Sequence, residues 1–136
     1  MPVAEGTGQS KWFEGEYDFA VDGGAISTII LRGVGALGGL IPAGAIIIGG
    51  YVDVITQLTS GGAATIACQS EAAGDIFAAT AVASFTAGRK NVLPAPATGS
   101  VTASTYVKTT VARALSIVIA AFALTAGKMR VAVLVR

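Results

Sequence analysis

The sequence predicts an all-β protein: an antiparallel β-sandwich, jelly-roll-like, with about seven or eight strands and a tendency to self-associate. Three observations carry that expectation. Runs rich in Ile, Val, Thr and aromatic residues recur along the chain, and the clearest of them alternate with period two, as a half-buried strand requires. Clusters of Gly, Pro, Asp and Ser separate these runs at turn-like intervals. No stretch carries a convincing amphipathic helical pattern, so the strands have only one another to pack against. A chain of 136 residues suits one two-sheet core, assigned to residues 11–136, with residues 1–10 as a flexible arm.

Lys11 to Val21 alternates from Phe13, with Gly15, Tyr17 and Phe19 on the same side and Glu14, Glu16 and Asp18 on the other. It reads as a first strand whose acidic face is solvated. Asp22-Gly23-Gly24 is a turn signal, and Ala25 to Arg32 reads as a second strand. Gly33 to Gly39 reads as a flexible connection. It contains a G-x-G-x-x-G spacing, but no Gly-Lys-Ser/Thr ending and no helix pattern follows it, which excludes a phosphate-cradling loop.

Leu40 to Leu58 is the organising stretch. A Pro42-Ala43-Gly44 corner leads into a strand in which Tyr51, Asp53, Ile55 and Gln57 point one way and Val52, Val54, Thr56 and Leu58 the other. Such a strand belongs near the middle of a sheet. A turn at Thr59 to Gly62 precedes a returning strand over Ala63 to Gln69. Ser70 to Gly88 is compatible with a short helix, or with a loop holding a short strand around Val82 to Phe85. Thr86 to Ser100 reads as a Pro/Gly-punctuated contact loop. Three closing strands are expected at Val101 to Thr109, Ala114 to Phe122 and Met129 to Val135. The Thr125-Ala126-Gly127 corner resembles Pro42-Ala43-Gly44, which suggests equivalent places in two sheets.

Composition narrows the function. Hydrophobic residues make up 53% of the chain and charged residues 12%, about half the usual charged share. A solitary small domain cannot hide that much apolar surface, so the excess is expected to face lipid or other subunits. Gly33 to Val52 is twenty residues without a charge, but seven glycines and Pro42 make it a poor membrane helix. Met1 to Gly24 is acidic and lacks an apolar signal core, so synthesis and retention in a cytoplasm-like compartment are expected.

Catalytic chemistry is poorly provided for. The chain has no His and one Cys, Cys68, so there is no internal disulfide, no Cys/His metal site and no cofactor to expect. A Ser-His-Asp arrangement is impossible and G-x-S-x-G does not occur. The chain therefore reads as non-enzymatic, with no small-molecule substrate and no membrane partner.

Charge is distributed unevenly: residues 1–75 hold all eight acids and two bases, whereas residues 76–136 hold seven bases and no acid. The opposite signs can cancel inside one subunit or meet between subunits. The basic residues are scattered and lack interleaved aromatics, which argues against nucleic acid.

The runs L-I-P-A-G-A-I-I-I-G-G-Y-V-D-V, T-S-G-G-A-A-T-I-A-C and L-T-A-G-K-M-R-V-A-V-L-V resemble segments of small structural proteins of tailed bacteriophages, in particular capsid decoration, or cement, proteins. The similarity spans Leu40 to Arg136. It implies a jelly-roll or related β-fold, a homotrimer seated on the outer capsid surface of the virion, and the major capsid protein as partner. On that implication the contact residues are Trp12 at the arm, and Arg89, Lys90, Leu93, Pro94 and Pro96 in the long loop. A tail or fibre-base component is the alternative within virions. A carbohydrate-binding sandwich is the alternative of another class, and would use exposed rings among Trp12, Tyr17, Tyr51 and Tyr106.

Overall fold

A computed structural model describes residues 10–35, 37–93 and 107–136. Its strands are paired in a nested order. β1 (Lys11–Asp18) lies against β12 (Leu124–Val135), and β2 (Thr28–Ile30) against β11 (Ser116–Ala120). β5 (Ile46–Ser60) pairs with β8 (Gly88–Leu93), and β6 (Thr65–Gln69) with β7 (Phe77–Ala81). First strand with last and second with next-to-last is the winding of a jelly roll. The front sheet runs β3-β1-β12-β5-β8, where β3 is Arg32–Val34, and the back sheet runs β2-β11-β6-β7. Every pairing is antiparallel.

The core follows from the period-two patterns. Phe13 and Tyr17 of β1, Val52, Val54 and Leu58 of β5, and Met129, Val131, Val133 and Val135 of β12 are buried on the inner face of the front sheet. Ile66, Cys68, Ile117 and Ile119 meet them from the back sheet. β5 is flanked by β12 and β8, as a central strand should be. Cys68 is fully buried, and burial pushes its thiol pKa far up, so it packs as a small apolar residue.

Twelve strands are described because the eight of the jelly roll are supplemented by four short ones. The run from Ala25 to Arg32, expected as one strand, divides at buried Leu31: Thr28–Ile30 joins the back sheet and Arg32–Val34 the front sheet. The chain thereby closes one side of the sandwich. Beyond it, β4 (Leu40–Ile41) pairs β10 (Arg113–Ala114) in a separate two-stranded sheet. Gly33 crosses close to Gly38 and Gly39. A Cβ on Gly33 would lie 2.7 Å from the Gly39 nitrogen, which explains the glycine content without a ligand.

Three further expectations are corrected. β1 ends at Asp18, because the Asp18 carboxylate accepts a hydrogen bond from the Ala20 N–H and caps one helical turn, α1 (Phe19–Asp22). No α-helix forms between Ser70 and Gly88, since the Asp75 carboxylate accepts from the N–H groups of Ser70, Glu71 and Ala72 and ties them into a turn. The strand there is Phe77–Ala81, and Val82–Ser84 is a 3-10 turn. Gly88–Leu93, expected in a loop, is a strand because the long β5 needs a partner along its outer side. Of the strand expected at Val101 to Thr109, β9 (Val107–Lys108) lies within the described residues.

Tyr17 ties the first corner. Its side chain is fully buried and its hydroxyl donates to the Gly23 carbonyl at 2.5 Å. Burial, with Asp22 and Asp18 nearby, pushes the phenol pKa up to about 12, so the proton stays in place as a donor. Tyr17→Phe is expected to cost about 1 kcal/mol in urea unfolding, the net worth of such a bond. An unchanged midpoint would show that the corner holds without it.

Candidate functional site

β1, β5 and β12 each turn one face to the core, so their alternate residues form the outer face of the front sheet. Strand register lines these residues up in rows. Arg32 stands opposite Glu16, Glu16 opposite Arg130, Arg130 opposite Asp53, and Asp53 opposite Arg89. One row thus crosses all five strands with charges alternating in sign. Arg130 Nε donates to Glu16 Oε1 at 2.9 Å and Arg32 Nη1 to Glu16 Oε2 at 3.4 Å, while Lys128 Nζ lies 3.9 Å from Oε1. Arg32 also reaches Asp22, whose carboxylate accepts from both Nε and Nη2.

Glu16 is the hub of this row. It is 7% exposed, contrary to the expectation of a solvated carboxylate, because three cationic side chains close over it. The hydrogen bond from Arg130, joined by the charges of Lys128, Arg130 and Arg32, outweighs burial and holds its carboxyl below the usual range. At Asp22 burial pushes the pKa up, but the bonds from Arg32 and the Asp18 N–H prevail and lower it.

A second ion pair, Glu71 with Arg113 at 2.9 Å, also joins the acidic half of the chain to the basic half. The opposite charges of the two halves therefore meet within one subunit at these places.

Beside the charged row lies an aromatic pair. Trp12 on β1 and Tyr51 on β5 reach over the intervening β12 until their ring centroids are 5.3 Å apart, tilted by 59°. Trp12 stands opposite Leu134 and Tyr51 opposite Ala132, so the two rings meet on a diagonal across β12. Ala132 faces outward in the register beside Tyr51, yet is 1% exposed. The Arg89 guanidinium carbon sits 4.2 Å from the Tyr51 ring centroid, a cation–π contact. Trp12 keeps 46% of its surface exposed, leaving an amphipathic ring available for contact.

Two sequence-predicted contact residues, Trp12 and Arg89, are therefore brought together through Tyr51. Lys90 falls opposite Val52 and belongs to the other side of β8. Leu93 pairs with Gly50 through the backbone. Pro94 and Pro96 lie outside the described residues, as does Tyr106. The described chain begins beside Lys11, opposite Val135. It breaks off at Leu93, opposite Gly50, and resumes at Val107, opposite Ile47. Val135 itself pairs with Ile47, so both segments expected to reach a partner attach at one end of the front sheet. Tyr17, a candidate glycan-binding ring, is buried in the core.

The alternating charge row is not legible in the sequence. Its members lie on five separate strands, and only the pairing register aligns them. Among the described residues no cluster of three or more His, Cys, Asp or Glu could hold a metal ion. No helix among them is long and apolar enough to cross a membrane.

No protein-family model matches the chain, and no curated protein matches it. Solved structures do. A chain of the capsid of Ralstonia phage GP4 superposes with a TM-score of 0.63 at 17% identity, covering 98% of this chain and 88% of that one. A chain of the cyanophage Pam1 capsid asymmetric unit gives 0.60 at 22% identity, with 99% and 91% covered. A chain of the acidic stable capsid of Helicobacter pylori bacteriophage KHP30 gives 0.58 at 12% identity, with 93% and 86% covered. The likeness is one of fold, and it extends over nearly the whole of each chain.

Proposed function

We propose that the protein is a non-enzymatic capsid decoration, or cement, protein. In this reading it sits on the outer surface of a phage head and holds neighbouring major capsid protein subunits together. The observation that carries it is the end-to-end match of its jelly roll with chains of three phage capsids. A partial match would fit a common sandwich borrowed for many purposes. A match covering nearly the whole length on both sides fits a protein with little besides this sandwich.

The outer face of the front sheet is the proposed capsid-facing surface. Trp12 is the exposed aromatic anchor, and Tyr51 and Arg89 hold it from the side, the residue types that dominate binding energy at protein interfaces. The charged row beside it supplies register, since alternating signs accept a complementary surface in few alignments. Self-association, in threes, accounts in this proposal for apolar side chains exposed elsewhere, including Val21, Ile26, Ile30 and Leu40.

The test is reconstitution on phage heads stripped of the protein. Trp12→Ala is expected to lower affinity about tenfold while leaving the fold intact, because this ring lies outside the core. Undiminished occupancy would remove Trp12 from the contact. Binding to isolated tails and not to heads would replace the decoration role with a tail role.

A further inference from the structure

At the end of the sandwich where β1 begins, a cleft of about 430 Å³ opens between the front sheet and the segment leading into β5. Its floor and walls are apolar, formed by Phe13, Leu37, Pro42 and Val135, while Lys11 and Arg136 bring two cationic side chains and no lining side chain is acidic. That volume is within the ~300–1,000 Å³ of small-ligand pockets. The lining describes its occupant: a short apolar segment followed or preceded by one negative charge.

We infer that the cleft is the docking site of the protein's own N-terminal segment, Met1 to Glu5. That segment reads Met-Pro-Val-Ala-Glu, four apolar residues ending in an acid. Glu5 is the only charged side chain before Lys11, and at the cleft it finds two cationic side chains against one carboxylate, the main-chain carboxylate of Arg136, which already accepts from the Ile46 N–H at 2.9 Å. The attachment point favours the chain's own segment over a neighbour's. Residues 1–9 join at Ser10, next to Lys11 in the cleft wall, so the intramolecular event has an effective concentration in the mM range. From Lys11 back to Glu5 the chain spans at most about 20 Å, and Gly6 and Gly8 permit the reversal needed to enter. The other segment outside the described residues, 94–106, contains no charged residue and does not match the cationic rim. Docking fixes the start of β1 and with it Trp12. The inference concerns the free protein and stands apart from the decoration reading.

Ala4→Cys carrying a nitroxide label tests it in the full chain, because the native thiol at Cys68 is buried and does not react. The expected result is paramagnetic broadening of the Leu37, Phe13 and Val135 amide signals in the labelled protein. None is expected in an equal mixture of isotope-labelled wild type and isotopically silent, spin-labelled protein. Broadening in that mixture would assign the cleft to a second copy, and absence of broadening in both samples would leave it to another occupant; either overturns the inference. Glu5→Lys should abolish most of the broadening, and Glu5→Asp should retain it. Equal broadening in the two variants would remove the ionic part of the argument.

Discussion

Gly127→Ala is expected to destabilise the protein by about 3 kcal/mol, the largest loss from a single added methyl group proposed for this chain. The residue sits inside β12, within the register shift against β5 at Ala126/Lys128, with further shifts on either side at Leu124/Ala126 and Lys128/Met129. Its φ is +132°, where an L side chain is strained at a cost of order 1–3 kcal/mol. The added Cβ would also lie 2.8 Å from Leu58 Cα and 3.1 Å from Cγ, and would collide with Cδ2. Leu58 is a core residue, so overpacking adds about 1–3 kcal/mol. The strand can relieve part of this by shifting, which keeps the total near 3. Combining Gly127→Ala with Leu58→Ala should recover the side-chain collision but not the backbone contact or the strained φ. The double variant should therefore be more stable than the two single losses predict, and still less stable than Leu58→Ala alone. A urea midpoint for Gly127→Ala within 0.5 kcal/mol of wild type would show that β12 does not hold this bulge in solution.

The same glycine has a setting that composition does not reveal. Thr125-Ala126-Gly127 has the composition of a turn, and Pro42-Ala43-Gly44 is indeed a corner ahead of β5. The first triplet is instead a bulge within a strand, which composition alone does not distinguish, because both turns and bulges use a glycine with positive φ. The two strands that follow these triplets are neighbours in one sheet, not counterparts in two.

What was legible rests on period two. The alternation from Val52 to Leu58 and from Phe13 to Tyr17 gave the fold class and most of the core, since burial of one face selects apolar residues at every second position. Gly88–Leu93 is not legible as a strand because Arg89, Lys90 and Asn91 look like loop residues, yet an edge strand tolerates charge and here uses it. Trp12 and Arg89 were legible as contact candidates one by one. Their meeting over Tyr51, like the row from Arg32 to Arg89, depends on which strands pair. That information is long-range and does not appear in any local window.

Glu16 shows what that long-range register contributes. Glu16→Ala is expected to cost about 2 kcal/mol at neutral pH, because it leaves Arg130, Arg32 and Lys128 facing one another where they had converged on one carboxylate. Removing one partner of a fully buried pair costs about 3–5 kcal/mol. Here the three cations are 35–46% exposed at their side chains, so water screens their repulsion and the value falls below that range.

The loss should also depend on pH in a defined direction. The folded-state pKa of Glu16 is lowered from 4.5, so its contribution is complete above that value and disappears as pH falls through the folded value. The gap between wild type and Glu16→Gln should therefore narrow on acidification from pH 7 towards pH 3. The variant should keep a residual acid slope, because the Arg113 guanidinium and the Thr110 donors hold Glu71 at about 2. Urea unfolding of both proteins across that pH range is the measurement. A gap that stays constant from pH 7 to pH 3 would mean that Glu16 acts through packing, and the alternating row would then be a consequence of strand register without a share in holding the face together.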